Sequence, residues 1–562
     1  MIPAQTLKEI LLKSKFVKPE DLDQAEKTAL QLNRPLQDIL IFKGLISEES
    51  LGRLIAEYFH APFINLKNKI IPLEILEIIP EKAAQKYKIL PFAIEKNIVS
   101  LAMENPQDIE ATEFVKRKSS LKVKPFYTTP ASLRRATGQY KKSIKKDFDK
   151  IIAENLSKSR QLERIDDKEI EKVATDLPVI RILDTILEYA FAEGASDIHF
   201  EILSEEVLVR FRIDGILHDI ISLPAKVQPA IVARVKILSK LKIDEHRLPQ
   251  DGRFKFQIGD EYISLRVSIM PTLFGENIVL RLLPESARPL SLEELGLTGK
   301  NLEIVRNNIQ KPHGMILVTG PTGCGKTTTL YSILNILNDA GVKICTIEDP
   351  IEYAIRRINQ TQINPQAGLS FATGLRSLLR HDPDIMMVGE IRDNETAEMA
   401  IHSALTGHLV LSTLHTNDAP GAIPRFLDMG AEAFLLASTV NVVIAQRLVR
   451  RICTNCVQQT TPDAKILNIL LKTYGTRISK QKFYQGKGCP ECNLTGYKGR
   501  VGIFEVLEVD ADIQDLTLKK APSEEIEKVA KQKGMISMSD DGLDKTAAGL
   551  TTIEEVLRAV RE

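Results

Sequence analysis

The chain has 562 residues, which is too long for one hydrophobic core and predicts three or four domains. Its formal net charge is +1 with 27 % charged residues, so both signs are mixed and no dominant nucleic-acid-binding surface is expected. No apolar run reaches the roughly 18 residues of a membrane helix. The N-terminus also lacks the apolar core of a signal peptide, so we expect a cytoplasmic protein.

The N-terminal segment contains an internal repeat. Thr6–Leu22 lines up with Pro35–Leu51 at an offset of 29 residues, and most apolar positions coincide. Each copy predicts a helix, a short turn and a second helix, with Ser47 as the N-cap of the last helix. Short strands and helices then alternate from Ile64 to Thr129. We therefore assign residues 1–138 to one N-terminal domain, a helical repeat followed by an α/β module.

Residues 139–175 have a different composition. Lysines are frequent from Lys141 to Lys150, acidic residues are frequent from Asp166 to Glu171, and aromatic residues are few. This pattern predicts a charged, solvated linker that is helical in part. The lysine run leaves a contact with anionic lipid open as an alternative.

Residues 176–284 predict an α+β domain. Val179–Ala192 has the apolar spacing of a helix, and alternating apolar residues with an Asp-Gly turn at 214–215 predict strands. Arg266 and Arg281 lie inside two of the predicted strands. A strand arginine is most often a solvated outer-face residue. Because a phosphate-binding motif follows in the chain, the alternative is that Arg266 and Arg281 contact a nucleotide.

A phosphate-binding loop lies within residues 285–450. Gly320 to Thr327 fits the pattern G-x-x-x-x-G-K-[ST], between an apolar run that predicts a strand and a segment with helical spacing. Glycines let successive backbone N–H groups point at phosphates, and the helix N-terminus adds partial positive charge. Lys326 can reach the β- and γ-phosphates, and the Thr327 hydroxyl can ligate Mg²⁺. The predicted nucleotide-binding residues are Gly320, Pro321, Thr322, Gly323, Cys324, Gly325, Lys326, Thr327 and Thr328.

Acidic residues follow two further predicted strands of this segment. Glu348, Asp349 and Glu352 follow the first strand, and Glu390 follows the second. The carboxyl ends of parallel strands are where such sheets bind ligands. The aspartate that usually precedes the glutamate of this motif is Gly389 here, so Mg²⁺ must depend on the phosphate-loop threonine, phosphate oxygens and water, with Glu348 or Asp349 as further candidates. Glu390 is placed to orient and deprotonate the attacking water.

The next predicted strand has a histidine at each end, His408 and His415. A lone histidine is usually structural. Because His415 lies at the end of a predicted strand in the segment with the phosphate loop, the alternative is that it senses the γ-phosphate. The candidate catalytic residues are therefore Glu390, Lys326, Glu348, Asp349, Glu352, His415, Arg266 and Arg281.

Four of the six cysteines form two C-x-x-C pairs, Cys453–Cys456 and Cys489–Cys492. Two such pairs supply the four thiolates that tetrahedral Zn²⁺ prefers, and a cytoplasmic chain favours metal over disulfide. The 32 residues between the pairs exceed the usual spacing, so we expect an additional helix there. Arg447, Arg450 and Arg451 lie just upstream and are expected to lower the thiol pKa values. Redox-active or unligated thiols are the alternatives.

Several of these segments resemble the secretion ATPase superfamily. The Asp box, Walker B motif and His box of this superfamily resemble Thr346–Tyr353, Val388–Asp393 and Thr406–His415. Its second domain resembles Gly194–Glu201 and Leu248–Arg253. The resemblance is to type II secretion and type IV pilus assembly ATPases. It covers nearly the whole chain and is weakest over the N-terminal repeat and the linker.

This resemblance implies a multidomain α/β fold. Its parts are the N-terminal domain (1–138), the linker (139–175), a PAS-like α+β domain (176–284), a RecA-like P-loop motor core (285–450), a tetracysteine zinc-binding subdomain (451–505) and a helical C-terminal segment (506–562). The implied cofactors are ATP, Mg²⁺ and Zn²⁺. The implied partners are further copies of the chain in a homohexamer and an inner-membrane platform protein, through which the chain associates peripherally with the membrane. Family members use arginines at the positions of Arg266 and Arg281 to close over nucleotide.

Some N-terminal domains of this family bind cyclic di-GMP through paired R-L-G-x-x-L motifs. Here the matching positions are Thr6-Leu7-Lys8 and Pro35-Leu36-Gln37, so the arginines are missing in register, although Arg34 lies one residue away. We therefore expect weak or no binding of cyclic di-GMP and a docking role for this domain.

Three functional hypotheses remain at this point. The first is a hexameric ATPase that drives pilin or pseudopilin assembly. The second is a nucleotide-gated scaffold without turnover. The third is a DNA-uptake or DNA-processing motor, which the balanced charge disfavours. The motifs do not separate type II secretion from type IV pilus assembly, because both use them.

Overall fold

The chain folds into two compact units, Met1–Ser286 and Ala287–Glu562. The computed structural model describes residues 4–14, 16–31, 36–42, 45–66, 69, 71–137, 139–159, 177–258, 261–284, 289–474, 478 and 481–561. Helices and strands are mixed in both units, so the fold is multidomain α/β, as predicted. Within the described ranges, no helix combines the length and the apolar character that crossing a membrane requires.

The first unit begins with two helix pairs and a small α/β module. Its elements are α1 (Ala4–Ser14), α2 (Pro19–Gln31), α3 (Leu36–Phe42), α4 (Glu48–Tyr58), α5 (Leu73–Leu76), α6 (Glu81–Tyr87), β1 (Ile89–Glu95), β2 (Ile98–Met103), α7 (Ile109–Ser119), β3 (Lys122–Tyr127) and α8 (Pro130–Thr137). The predicted repeat is confirmed as two helix pairs, and Ser47 caps α4 by accepting a hydrogen bond from the Ser50 N–H at 3.0 Å. The strands form a sheet in which β2 pairs antiparallel with β1 and parallel with β3.

The segment predicted as a solvated linker is partly a packed helix. Residues Gln139–Ser159 form α9. Its Phe148 and Ile152 are buried in the core of the following domain, and the Phe148 ring stacks on Tyr189 with 4.4 Å between centroids. The helical part of the prediction is confirmed, but these residues are not solvated, because apolar side chains along α9, among them Phe148, Ile152 and Leu156, pack into this core. Asp166 to Glu171 lie outside the described residues.

The second half of the first unit is a six-stranded antiparallel sheet with helices on one face. Its elements are α10 (Leu177–Ala192), β4 (Asp197–Ile202), β5 (Glu206–Ile213), β6 (Ile216–Pro224), α11 (Gln228–Ser239), β7 (Gln250–Ile258), β8 (Glu261–Thr272) and β9 (Gly275–Pro284). The strand order is β6-β5-β4-β9-β8-β7. Alternate strand residues join α9, α10 and α11 in one core, and the others form an outer face. The predicted Asp-Gly turn is confirmed, with positive φ at Asp214 and Gly215.

The second unit is built on a seven-stranded sheet with helices on both faces. Its elements up to the fifth parallel strand are α12 (Leu292–Leu295), α13 (Gly299–Ile309), β10 (Gly314–Thr319), α14 (Lys326–Leu337), β11 (Ile344–Glu348), β12 (Ile358–Gln362), α15 (Phe371–Leu378), β13 (Ile385–Val388), α16 (Asn394–Leu405) and β14 (Leu409–Leu414). The strand order is β12-β11-β13-β14-β10-β15-β18, all parallel except the last. Met315 and Leu317 face one core and Ile316 and Val318 the other, so the central strand is buried on both sides.

The C-terminal part of the chain continues this unit. Its elements are α17 (Ala422–Asp428), α18 (Ala433–Thr439), β15 (Val440–Ile452), β16 (Val457–Thr460), α19 (Ala464–Tyr474), β17 (Phe483–Gly486), β18 (Tyr497–Glu508), α20 (Ala511–Leu518), α21 (Ser523–Gln532), α22 (Met538–Ala547) and α23 (Ile553–Arg561). β18 pairs with β15 along its length, and Ile513, Ile526 and Ala559 lie in the motor core. The predicted subdomain (451–505) and C-terminal segment (506–562) both belong to this second unit. The predicted helix between the cysteine pairs is present as α19.

Candidate functional site

The phosphate loop has the predicted strand–loop–helix context. It joins β10 to α14, and Gly320, Gly323 and Gly325 have φ of 145°, 79° and 91°. A Cβ added at Gly320 would lie 2.6 Å from both the Cys324 Sγ and the Gln446 carbonyl oxygen. Only glycine fits this close approach, so the loop conformation follows from the motif.

Lys326 lies at the start of α14 and points back across the loop. Its Nζ donates hydrogen bonds to the carbonyl oxygens of Gly320 (2.7 Å) and Pro321 (3.0 Å). Burial lowers the pKa of Lys326, while the charges of Cys324 and Glu390 act in the opposite direction. The ammonium group is therefore held against the backbone of the loop, and the charge of Glu390 acts on it.

Glu390 and His415 come together at the carboxyl end of the sheet. β13 and β14 are neighbouring parallel strands, with Val388 opposite Ser412. The chain leaves both strands at the same edge, and the His415 Nε2 lies 3.3 Å from the Glu390 Oε2. Arg392 Nε lies 2.7 Å from the same oxygen. The carboxylate is 15 % exposed, so it is oriented by two partners and remains open to one side.

Three acidic residues, Glu348 at the end of β11 and Asp349 and Glu352 after it, have different environments in the structure. Asp349 is exposed and Glu352 is half-buried, as a ligand-binding edge requires. Glu348 is only 2 % exposed and points into the core behind α14, where its carboxylate accepts hydrogen bonds from the hydroxyls of Tyr331 and Thr346, both at 2.5 Å. The Glu348 carboxylate is thus occupied by hydroxyl partners, and its role as a Mg²⁺ ligand stays a prediction.

The donor set at the loop fits Mg²⁺. Thr327 occupies the first turn of α14, half-buried beside Lys326, and its hydroxyl is the type of oxygen ligand that Mg²⁺ takes together with phosphate oxygens and water. Acidic oxygens within the same edge come from Asp349, Glu352 and Glu390. Mg²⁺ at such a site neutralises charge that develops on transferring phosphate oxygens.

Arg447 on β15 is a loop-packing residue that the sequence analysis assigned elsewhere. Its guanidinium lies against Gly320 and donates to the backbone and side-chain oxygens of Asn417, which follows His415 in the chain, at 3.1 and 3.3 Å. Gln446 accepts a hydrogen bond from the Thr329 hydroxyl at 2.6 Å. β15 thus supports the phosphate loop from one side. Its position next to β10 in the sheet order was the missing information.

Arg266 and Arg281 lie opposite one another in a cross-strand row of charged residues. The register places Arg253, Arg266, Arg281, Asp197 and Arg212 side by side on β7, β8, β9, β4 and β5. Asp197 accepts a hydrogen bond from the Arg281 Nε at 2.9 Å. The row contains four arginines and one aspartate, so its positive charge is in excess. Like charges directly opposite one another destabilise a sheet, so this arrangement lowers the stability of the sheet. Arg253, the last residue of the segment Leu248–Arg253 that resembles the second domain of the family, also belongs to the row.

The four predicted zinc ligands form one cluster. Their Sγ atoms all lie within 4.8 Å of one another, with 3.7 Å between Cys453 and Cys489 and 3.8 Å between Cys456 and Cys492. Four sulfurs at about 2.3 Å from a tetrahedral Zn²⁺ lie about 3.8 Å apart, so the cluster fits this ion. The backbone N–H groups of Cys489 and Gly496 donate to the Cys492 Sγ.

The expectation that neighbouring arginines lower the thiol pKa values was wrong. Burial raises the pKa of Cys453, and it raises the pKa of Cys456 to about 11. Burial also acts to raise the pKa of Cys492, but backbone hydrogen bonds lower it overall. Arg450 is paired with Glu555 at 2.7 Å and lies over the Tyr497 ring, because β15 directs its side chain toward α23.

The sequence matches two known family profiles and several characterised relatives. A profile described as "Type II/IV secretion system protein" matches residues 172–558, and one described as "MshEN domain" matches residues 59–146. The "Type IV pilus assembly ATPase PilB" of Myxococcus xanthus is 39 % identical over 556 residues, which cover 98 % of each chain. The "Type II secretion system ATPase E" of Vibrio cholerae is 45 % identical over 415 residues, which cover 73 % of this chain and 79 % of that one.

A solved structure shares the fold. The ATPase DotB of Legionella pneumophila superposes with a TM-score of 0.51 at 23 % identity, over 67 % of this chain and 95 % of that one. The secretion profile covers more than half of the chain, and the Myxococcus relative aligns along nearly all of it. The chain therefore belongs to the family of type II secretion and type IV pilus assembly ATPases.

Proposed function

We propose that this chain is a cytoplasmic homohexameric ATPase that powers type IV pilus assembly. The observation that supports it most directly is the convergence of Lys326, Glu390 and His415 at one edge of the parallel sheet. A cation for the phosphates, a carboxylate for water and a polar side chain beside it are what phosphoryl transfer to water needs. A scaffold that binds nucleotide without turnover has no use for the oriented carboxylate.

In the proposed reaction ATP is the substrate and water the nucleophile. The Lys326 ammonium contacts the β- and γ-phosphates, and the Thr327 hydroxyl would hold Mg²⁺, which would offset phosphate charge. Glu390 accepts a proton from the attacking water, and its orientation is maintained by Arg392 and by His415, which also reads the γ-phosphate. Glu352 and Asp349 complete the acidic edge.

Arg266 and Arg281 supply further positive charge in this proposal. A guanidinium on a strand is held more firmly than one on a loop, and an inserted arginine can be worth roughly 10³–10⁵ in turnover. Closure of this arginine row over the nucleotide would couple hydrolysis to domain movement, which an inner-membrane platform protein converts into pilin assembly. Membrane association is then indirect, and no nucleic acid takes part.

The extent of the alignments favours pilus assembly over type II secretion. Relatives named PilB align over 98 % of this chain in both Myxococcus xanthus and Acinetobacter baylyi, whereas those named for type II secretion align over 69–74 %.

Two experiments test the proposal. Steady-state phosphate release from the purified full chain should be ATP-dependent and should require Mg²⁺; a chain that binds ATP without release would instead be a scaffold. In the source bacterium, replacing the chromosomal copy by the Glu390→Gln variant should abolish surface pili and leave secretion of folded exoproteins intact. The reverse phenotype would assign the ATPase to secretion.

A further inference from the structure

Glu348 is a buried carboxylate without a cationic partner in the part of the chain that the structure describes. Beyond the hydroxyls of Tyr331 and Thr346, it accepts a hydrogen bond from the Gln360 Nε2 at 3.2 Å. Burying a charged group costs several kcal/mol unless hydrogen bonds satisfy it, and an apolar residue would stabilise the core more simply. The free-energy cost of burying the Glu348 carboxylate at the end of β11 indicates a role beyond packing.

Tyr331 links this carboxylate to the acidic edge of the site. The residue lies in α14, five positions after Lys326, and its side chain is fully buried. Burial, followed by the charge of Glu348, raises the pKa of Tyr331, so the hydroxyl stays protonated and donates to Glu348. Its oxygen then accepts from the backbone N–H of Glu352 at 3.3 Å.

Gln360 on β12 closes the network. Its Nε2 lies 3.3 Å from the Tyr331 Oη and 3.1 Å from the Tyr353 carbonyl oxygen, and its Oε1 accepts from the Ile355 N–H at 2.8 Å. The segment between β11 and β12 is irregular, so these side-chain bonds replace the backbone ladder that would otherwise hold it. Through them the segment that carries Glu352 is attached to the phosphate-loop helix.

We propose that Tyr331 and Glu348 are positioning residues that hold the Glu352 segment against α14 in the geometry that ATP hydrolysis requires. The inference rests on the proposed ATPase activity. Tyr331 and Glu348 touch neither substrate nor metal; they act through the Glu352 backbone and the helix that begins with Lys326. Because a displacement of about 1 Å in a catalytic group can cost roughly 100-fold in rate, loss of a single hydroxyl here should be visible in turnover.

The test compares two tyrosine variants of the full chain. Tyr331→Phe removes the central hydroxyl and keeps the ring, and Tyr353→Phe is the matched control, since the two rings pack edge to face with 4.8 Å between centroids. For Tyr331→Phe we expect kcat to fall about 10- to 100-fold while the KM and the Kd for ATP stay within about twofold of the parent. Tyr353→Phe should keep all three values near those of the parent. Glu348→Gln, which keeps an acceptor for the tyrosine hydroxyl, should lose less kcat than Glu348→Leu.

Each alternative outcome refutes the inference in a distinct way. Parent-like kcat in Tyr331→Phe would show that the hydroxyl positions nothing. A loss of kcat together with equal losses of ATP affinity and Tm would show a purely structural role. A parent chain without turnover would refute the proposed function first, and this would be evident before any variant is compared.

Discussion

Glu390 shows how the activity of one residue depends on its immediate partners. Its carboxylate lies 2.7 Å from Arg392 and 3.3 Å from His415, and its charge reaches Lys326. A carboxylate held by two donors on one side presents its remaining lone pairs in a defined direction, which a general base requires. Lys326, by contrast, contributes a positive charge on a side chain long enough to contact the β- and γ-phosphates.

Lys326 and Glu390 are therefore predicted to fail in different ways. Lys326→Ala should abolish ATP binding, because the loop loses its cation. Glu390→Gln should bind ATP and stall, with turnover reduced about 10²- to 10⁴-fold. Equilibrium binding of a fluorescent ATP analogue and phosphate release measure the two effects. Hydrolysis by Glu390→Gln close to the parent rate would show that another group is the base.

The arginine row makes a second prediction at the scale of single residues. Arg266→Ala and Arg281→Ala should each lower turnover at least about tenfold and leave hexamers and ATP binding largely intact, because the excess charge acts on the reacting phosphate. Arg210→Ala is the control, because Arg210 on β5 lies outside the row, where it pairs with Glu201 and Asp219 at 3.1 and 3.2 Å. Parent-like turnover in both row variants would exclude their role.

Mixing inactive subunits identifies the site that Arg281 serves. If Arg281 acts on the nucleotide of a neighbouring subunit, hexamers mixed from Arg281→Ala and Lys326→Ala chains should recover turnover. If it acts on the nucleotide of its own chain, mixing should restore nothing. We expect the second result, and recovery on mixing would assign the arginine to the interface.

At the scale of elements, α9 is a test of the corrected linker. Phe148 is 2 % exposed and stacks on Tyr189, whereas Lys150 on the same helix is exposed. Phe148→Ala should lower the free energy of unfolding of the first unit by about 3–5 kcal/mol. Lys150→Ala should change it by less than about 0.5 kcal/mol. Chemical denaturation measures both values. Equal denaturation midpoints for Phe148→Ala and the parent would show that α9 is a linker that does not stabilise the first unit.

The cysteine cluster is the second element with a direct test. The purified chain should contain about one Zn²⁺, as expected for a closed four-thiolate site. Cys453→Ser and Cys489→Ser should lower the content, and Cys324→Ser and Cys345→Ser should not, because those thiols are buried elsewhere in the motor unit. Elemental analysis of protein kept from chelators measures it, and a chain free of zinc would leave a thiol cluster of another role.

At the scale of the whole molecule, the N-terminal domain is predicted to add docking rather than nucleotide sensing. The positions that would carry phosphate-reading arginines are occupied by Thr6 and Pro35, and a phosphate without a bidentate partner loses its strongest contacts. Calorimetric titration of the full chain with cyclic di-GMP should give no binding tighter than micromolar. A sub-micromolar Kd would show that other residues replace the missing arginines.

The sequence by itself determined those parts of the molecule whose conformation depends only on residues within one short segment. The phosphate loop needs glycines at fixed offsets between a buried strand and a helix, and all three features lie within Gly314–Leu337. The C-x-x-C pairs bring their own geometry, and the helix repeat shows its apolar period directly. In each case the residues that decide the conformation are neighbours in the chain, so the pattern can be read without the fold.

The tertiary structure decided what depends on faces and register. β11 is buried on both sides, so its sequence has no apolar–polar alternation to show that Glu348 points into the core while Asp349 is exposed. The arginine row exists only because two antiparallel registers, between β7 and β8 and between β8 and β9, align positions 253, 266 and 281. Arg447 reached the phosphate loop because β15 lies next to β10, although more than 100 residues separate them in the chain. Contacts of this kind are set by packing between distant segments, and no local pattern specifies them.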